Sequence, residues 1–257
     1  MHTPSPRSTL FFLLLTFAML WVPVGQHDFL YAHWMKVGTF AAPFLLFTAA
    51  AFRGSAEVAL GRDVKVWSLW MLIAYIIHQF EEHWVDLFGN VYAFHATVNG
   101  LIMGIFEVSE PPLTEAGIFV INTSLVWLVG ALAIWRSPKH VFPALAMASV
   151  IVINAASHIL VGLGKASYNP GLLTSVLVFL PLGGFVYARV LKERVASTRE
   201  LVASLIWGIL AHVIMVGGLV AGGVFGLFPE SVYFVALIAW SLVPVFLFRS
   251  PDGFSKQ

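Results

Sequence analysis

The sequence predicts an all-α protein: a polytopic transmembrane helical bundle of about eight spans, forming one domain over residues 1–257. Hydrophobic residues make up 59% of the 257 positions and charged residues only 11%, with a mean hydropathy of +0.87. A water-soluble domain of this length cannot hide so much apolar surface. The apolar residues also fall into runs near the length, about 20 residues, that crosses about 30 Å of hydrocarbon. A net charge of +1 offers no basic face to nucleic acid. Cysteine is absent, which excludes disulfides, thiolate metal sites and a cysteine nucleophile.

The expected spans follow in order. The first, 9–24, is an apolar run behind a lone Arg7 among prolines; no small-residue cleavage site precedes Gln26, so it reads as an uncleaved first helix. The others are 34–52, 64–84, 116–135, 141–163, 172–191, 201–225 and 232–248. Between the third and fourth, 91–106 is apolar but broken by His95, Asn99 and Gly100. It is short for a span and reads as an interfacial or re-entrant element.

Positive charge orients the bundle. With both termini in the cytoplasm, all of the 14 Lys and Arg residues except Lys36 and Lys165 fall on the cytoplasmic side. The segment 85–115 has no Lys or Arg and carries Asp86, Glu107, Glu110 and Glu115. The positive-inside rule therefore places that segment outside, and the expected location is the cell membrane.

The chemistry concentrates in Ile76-Ile77-His78-Gln79-Phe80-Glu81-Glu82-His83-Trp84, at the end of the third span. Ionisable residues in a membrane segment are costly and mark function. At helical spacing His78, Glu81 and Glu82 share a face, while His83 points elsewhere and is expected at the interface beside Trp84. Asn122 on the fourth span, Asn154 and His158 on the fifth, and Tyr168-Asn169-Pro170-Gly171 before the sixth all fall within about 15 Å of the same membrane boundary. Polar residues of four segments thus converge at one depth.

His78-x-x-Glu81-Glu82, then His158, then Tyr168-x-Pro170-Gly171 resembles the HXXEE family of integral membrane proteins over residues 70–189 or so. Asn122 and Asn154 also fit its pattern. The resemblance supports this choice of residues and implies no activity.

From the residues themselves, His78 and Glu82 at i, i+4 suit two ligands to one metal, and His158 completes a His₂Glu set for a divalent ion, zinc or iron. Glu81 is then a candidate general base. Glu82 and Tyr168 join it as candidate catalytic residues, Tyr168 as a cap on the pocket, with Asn122 and Asn154 orienting ligands or substrate. The apolar surround points to a lipidic or isoprenoid-like substrate. Other readings stay open: a metal-free acid–base isomerase or cyclase, a di-iron site completed by Glu107, Glu110 or Glu115, a proton- or metal-coupled transporter, and a non-catalytic binding protein or polar network between helices. His212 is expected to be a hydrogen-bonded packing residue, and Gly218, Gly222 and Gly226 a close helix contact.

Overall fold

The computed structural model describes residues 28–54, 64–136 and 140–248. Over these residues the protein is all-α; no strand forms, and Val85 and Val91 make only an isolated bridge across a tight loop. The helices are α1 (Asp28–Gly54), α2 (Val64–His83), α3 (Ala93–Phe106), α4 (Glu115–Arg136), α5 (Phe142–Lys165), α6 (Leu172–Glu193), α7 (Thr198–Val224) and α8 (Glu230–Val245). By length and composition, α4, α5, α6 and α7 can cross a membrane, four spans where eight were expected. The expected first span, 9–24, lies outside the described residues. Helix α8 has fewer than 18 residues, and α2, 20 residues long, spends its last turns on the polar cluster.

Helix α3 has 14 residues, about 21 Å at 1.5 Å of rise per residue, short of the bilayer core. His95 and Asn99, which interrupt its apolar run, tie it down. His95 Nε2 lies 2.6 Å from the Leu113 carbonyl, and the Asn99 amide pairs with both the N–H and C=O of Leu113 at 2.9 Å. Helix α4 starts on Thr114, whose hydroxyl accepts from the Gly117 N–H, and α7 starts on a capping box between Ser197 and Glu200.

Helices α4 and α5 form the centre: α5 packs on α2, α4, α6 and α7, while α4 packs on α1, α2 and α8. The apolar window of α4 is 78% buried against 22% for α7. The outer face of α7 shows Val202, Ile206, Ile209, Leu210, Val213 and Val216 to the surroundings, a surface suited to hydrocarbon rather than water. Close glycine contacts seat α7. A Cβ on Gly218 would fall 2.7 Å from the Tyr233 ring and one on Gly222 would fall 2.8 Å from Phe228, whereas Gly226 (φ +61°) forms the turn into α8.

Three helices contain a widened π turn: Thr123–Leu128 in α4, Ser175–Phe179 in α6 and Val220–Val224 in α7. In the first two the cause is local. In α4, the Asn122 amide and the Thr123 hydroxyl bond back to the Ile118 and Phe119 carbonyls, competing with the helix ladder. In α6, Pro181 lacks an N–H and crowds the carbonyl of Leu177, four residues earlier. Such turns favour functional sites, and the first two border the polar cluster.

Candidate metal centre

His78 and Glu82 stand one turn apart on α2, and His158 comes from α5; all three are buried. The Glu82 carboxylate sits among imidazoles. Its Oε1 is 3.0 Å from His158 Nε2, and its Oε2 is 3.3 Å from His78 Nε2 and 3.4 Å from His83 Nε2. One ligand atom from each of His78, Glu82 and His158 lies within 4.8 Å of the others. Ligands of a tetrahedral zinc at about 2.0–2.1 Å stand roughly 3.3 Å apart, so small side-chain shifts would close this set on an ion.

Hydrogen bonds fix which nitrogen of each ring carries the proton. The Thr174 hydroxyl donates to Glu81 Oε2 at 2.5 Å, so its oxygen must accept from His78 Nδ1 at 2.7 Å. The Asn169 amide nitrogen donates to the His158 carbonyl, so its Oδ1 accepts from His158 Nδ1 at 2.7 Å. Both rings therefore hold a proton on Nδ1, and when neutral they turn an Nε2 lone pair toward Glu82. His78 Nε2 is buried with no hydrogen-bond partner among the described residues.

A third chain of bonds reaches His83. The Trp127 indole, which can only donate, gives its N–H to Gln79 Oε1 at 2.9 Å. Gln79 then donates to Asn122 Oδ1 at 3.0 Å, and Asn122 donates to His83 Nε2 at 3.2 Å. His83 Nε2 is thus also an acceptor. While the three rings are neutral, the buried Glu82 carboxylate has no donor among the described residues, an arrangement that demands a cation or added protons. The donor set of two imidazoles and one carboxylate fits a divalent metal.

Glu81 turns away from Glu82 to the start of α6. Its Oε1 accepts from the Tyr168 hydroxyl (2.9 Å) and the Leu173 N–H (3.1 Å), and its Oε2 accepts from the Thr174 N–H (2.8 Å) and hydroxyl. The two adjacent carboxylates therefore do not share one site: Glu81 is balanced by the N-terminal amides of a helix. Tyr168 also accepts from the Leu87 N–H at 3.1 Å, joining the loop after α2 to the loop before α6. Burial holds the Tyr168 phenol well above its ordinary pKa, the bond to Glu81 adding to this against the Leu87 N–H. Gly171 (φ +92°) closes the site: a Cβ there would fall 2.7 Å from His158 Cε1, 2.8 Å from His78 Cε1 and 3.0 Å from Glu82 Cγ.

Glu82, His83, Asn122, Asn154, His158 and His212 also line a cavity of about 290 Å³ whose remaining walls are largely apolar and come from α3, α4, α5 and α7. Asn154 Oδ1 is buried there with no partner among the described residues. His83 departs from its expected interfacial place. It is 2% exposed, packed between the Trp34 and Phe94 rings at 5.1 and 5.0 Å, because α1 and α3 fold over that face of α2. His212 does bond its own helix, at the Gly208 carbonyl (2.8 Å), yet its ring also meets the cavity. Glu107, Glu110 and Glu115 are exposed, and none joins a metal-ligating group among the described residues. Trp127 and Thr174 escaped sequence reasoning, and Gln79 and Asn169 were given no individual role there; each is a polar side chain next to or facing a suspected ligand.

No curated protein and no solved structure matches the chain. The family described as a protein of unknown function with an HXXEE motif matches residues 69–186, a stretch that runs from α2 into α6 and contains every member of the polar cluster. Over that stretch, a little under half of the chain, the sequence is similar to the HXXEE family.

Proposed function

We propose that this is an integral membrane enzyme with a divalent-metal centre held by His78, Glu82 and His158, acting on a lipidic substrate taken up in the adjoining cavity. The observation that carries the reading is the gathering of these three ligand atoms within 4.8 Å, with both imidazoles locked to present Nε2. A metal held there supplies Lewis acidity toward a substrate oxygen or a water. The protein's own groups do the rest. Thr174 and Asn169 hold the ring orientations, as partners of ligating histidines do. Phe179, 4.3 Å from the His78 ring, and Phe94 keep water from the cluster. Four donated bonds commit Glu81 to positioning α6, so the acid–base work falls to Glu82 and to the cavity's histidines.

The proposed topology is eight spans with both termini cytoplasmic, which sets the centre in the outer half of the bilayer. A transporter needs a polar path onward from the site. Ser68 and Ser149, among the few polar groups on that route, bond their own helices at the Val64 and Ala146 carbonyls. That favours an enzyme. A metal-free acid–base site is the second reading, favoured by the 3.0 Å approach of His158 Nε2 to Glu82, a distance suited to an ion pair once His158 is protonated.

Metal analysis of purified protein tests the proposal. About one zinc or iron per chain is expected, lost in His78→Ala and in His158→Ala. A folded, active protein without metal would remove the metal reading and leave acid–base isomerisation or cyclisation.

A further inference from the structure

The polar lining of the cavity consists of one carboxylate, imidazoles, carboxamides and hydroxyls. Helices α5 and α7 cross at Gly208, where a Cβ would fall 2.5 Å from Ser149 Oγ and 2.8 Å from Ile153 Cδ1. Past this crossing both helices line the cavity with their C-terminal halves. Asn154 follows Ile153 directly, and His212 stands one turn, about 6 Å, beyond Gly208. The two therefore line the cavity near this crossing, Asn154 one turn before His158. Asn154 Oδ1 has no donor among the described residues, and the amide nitrogen of the same side chain remains a donor. The Gly208 carbonyl can only accept, so His212 Nδ1 carries the proton and the neutral ring leaves Nε2 as an acceptor. Among the described residues no Lys or Arg lines the cavity, while Glu82 does.

Resting on the reading of this cavity as the substrate pocket, we infer that it takes an uncharged lipid whose head group donates a hydrogen bond, a long-chain alcohol being the simplest member. His212 Nε2 accepts from that head group, and the Asn154 carboxamide can accept from it or donate to it. Without a metal in place, lipid phosphates and carboxylates are turned away, because they bring negative charge beside the Glu82 carboxylate with no cationic side chain to balance it. The 290 Å³ volume equals roughly ten water-sized volumes of about 30 Å³ each. It holds the head group and the first carbons of the chain, leaving the remainder in the bilayer.

The test uses full-length protein in nanodiscs and three photoreactive ten-carbon probes: a diazirine alkanol, the matching alkanoic acid and the matching alkyl phosphate. Each is applied to protein as purified and after chelation. The alkanol should label peptides of α3, α5 or α7, in competition with decanol, in both preparations. Asn154→Leu should reduce that labelling about tenfold, the effect of one lost hydrogen bond. His212→Phe should do the same and His212→Gln, which keeps an acceptor, should restore much of it. The acid and phosphate should label chelated protein less than the alkanol does. Equal or stronger labelling of chelated protein by either anion would overturn the inference. So would alkanol labelling that neither Asn154→Leu nor His212→Phe changes, or no labelling of the cavity. Absence of metal from the purified protein, with alkanol labelling intact, would count against the metal centre alone.

Discussion

Gly171 presses its backbone against the His158 ring so closely that a Cβ would stand 2.7 Å from Cε1. Its φ of +92° is a region that side chains rarely adopt. Gly171→Ala should therefore combine backbone strain with overpacking, each about 1–3 kcal/mol, and should expel the metal by pushing His78 and His158 apart. Gly164→Ala, where a Cβ meets nothing within 4 Å, is the control. Thermal unfolding and metal content should both fall for the first variant and hold for the second.

Asn169 fixes His158 from behind. Asn169→Leu should leave the ring free to turn and weaken zinc binding roughly 10–100-fold without abolishing it. Competition with a calibrated chelator reads this directly. Unchanged affinity would mean that the Asn169 bond does not orient a ligand.

Glu81→Gln should keep the metal but lower stability. A carboxamide offers one acceptor oxygen where the carboxylate serves four donors; leaving buried donors unpaired costs about 1–3 kcal/mol. A lowered melting temperature with metal content and ligand labelling near wild type is the expected pattern. Lost activity at full stability would instead restore Glu81 as the general base.

Asp86 and Tyr168, on the two loops joined at Leu87, give stability two pH limits. Burial pushes the Asp86 carboxyl up, but bonds from the Asn90 side chain and the backbone N–H groups of Asn90 and Phe88 outweigh it and hold it below the ordinary carboxylate value. Its contribution is present above about pH 3.9 and fades as pH falls through the lower folded value. Tyr168, held above its ordinary value, contributes fully below about pH 10 and loses that contribution as pH rises further. Melting temperatures across pH should show the alkaline limb flattened in Tyr168→Phe and the acid limb flattened in Asp86→Asn.

Cysteine labelling in intact cells tests orientation. The parent chain has no cysteine, so Ser109→Cys and Ser197→Cys each report alone. An impermeant reagent should reach the first and not the second. Equal access would undo the proposed depth of the site.

The spacing of His78 and Glu82 made one face of α2 legible, and His158 was legible as a histidine at matching depth. What faced them was not. Periodicity tells which side chains leave a helix together, but the partner of Glu81 is the start of a helix 92 residues onward. No local pattern announces that pairing. His83 was misplaced for the same reason: one residue past Glu82 it looks like an interfacial ring, until Trp34 and Phe94 arrive from other helices. Gly171 stood out as part of the Tyr168-x-Pro170-Gly171 pattern, while its closeness to two imidazoles depends wholly on tertiary packing. The helices were legible because each apolar run is its own evidence; the polar wiring was not, because each bond needs two distant residues.

Leu101, Ser157 and Val216 line the cavity and are also exposed on α3, α5 and α7. They mark its mouth, on a flank whose neighbours are as apolar as lipid tails. A molecule entering there is counted per lipid rather than per litre. With protein and ligand fixed, occupancy should drop as inert lipid is added and stay level as buffer is added, so the affinity of this site is properly a mole fraction.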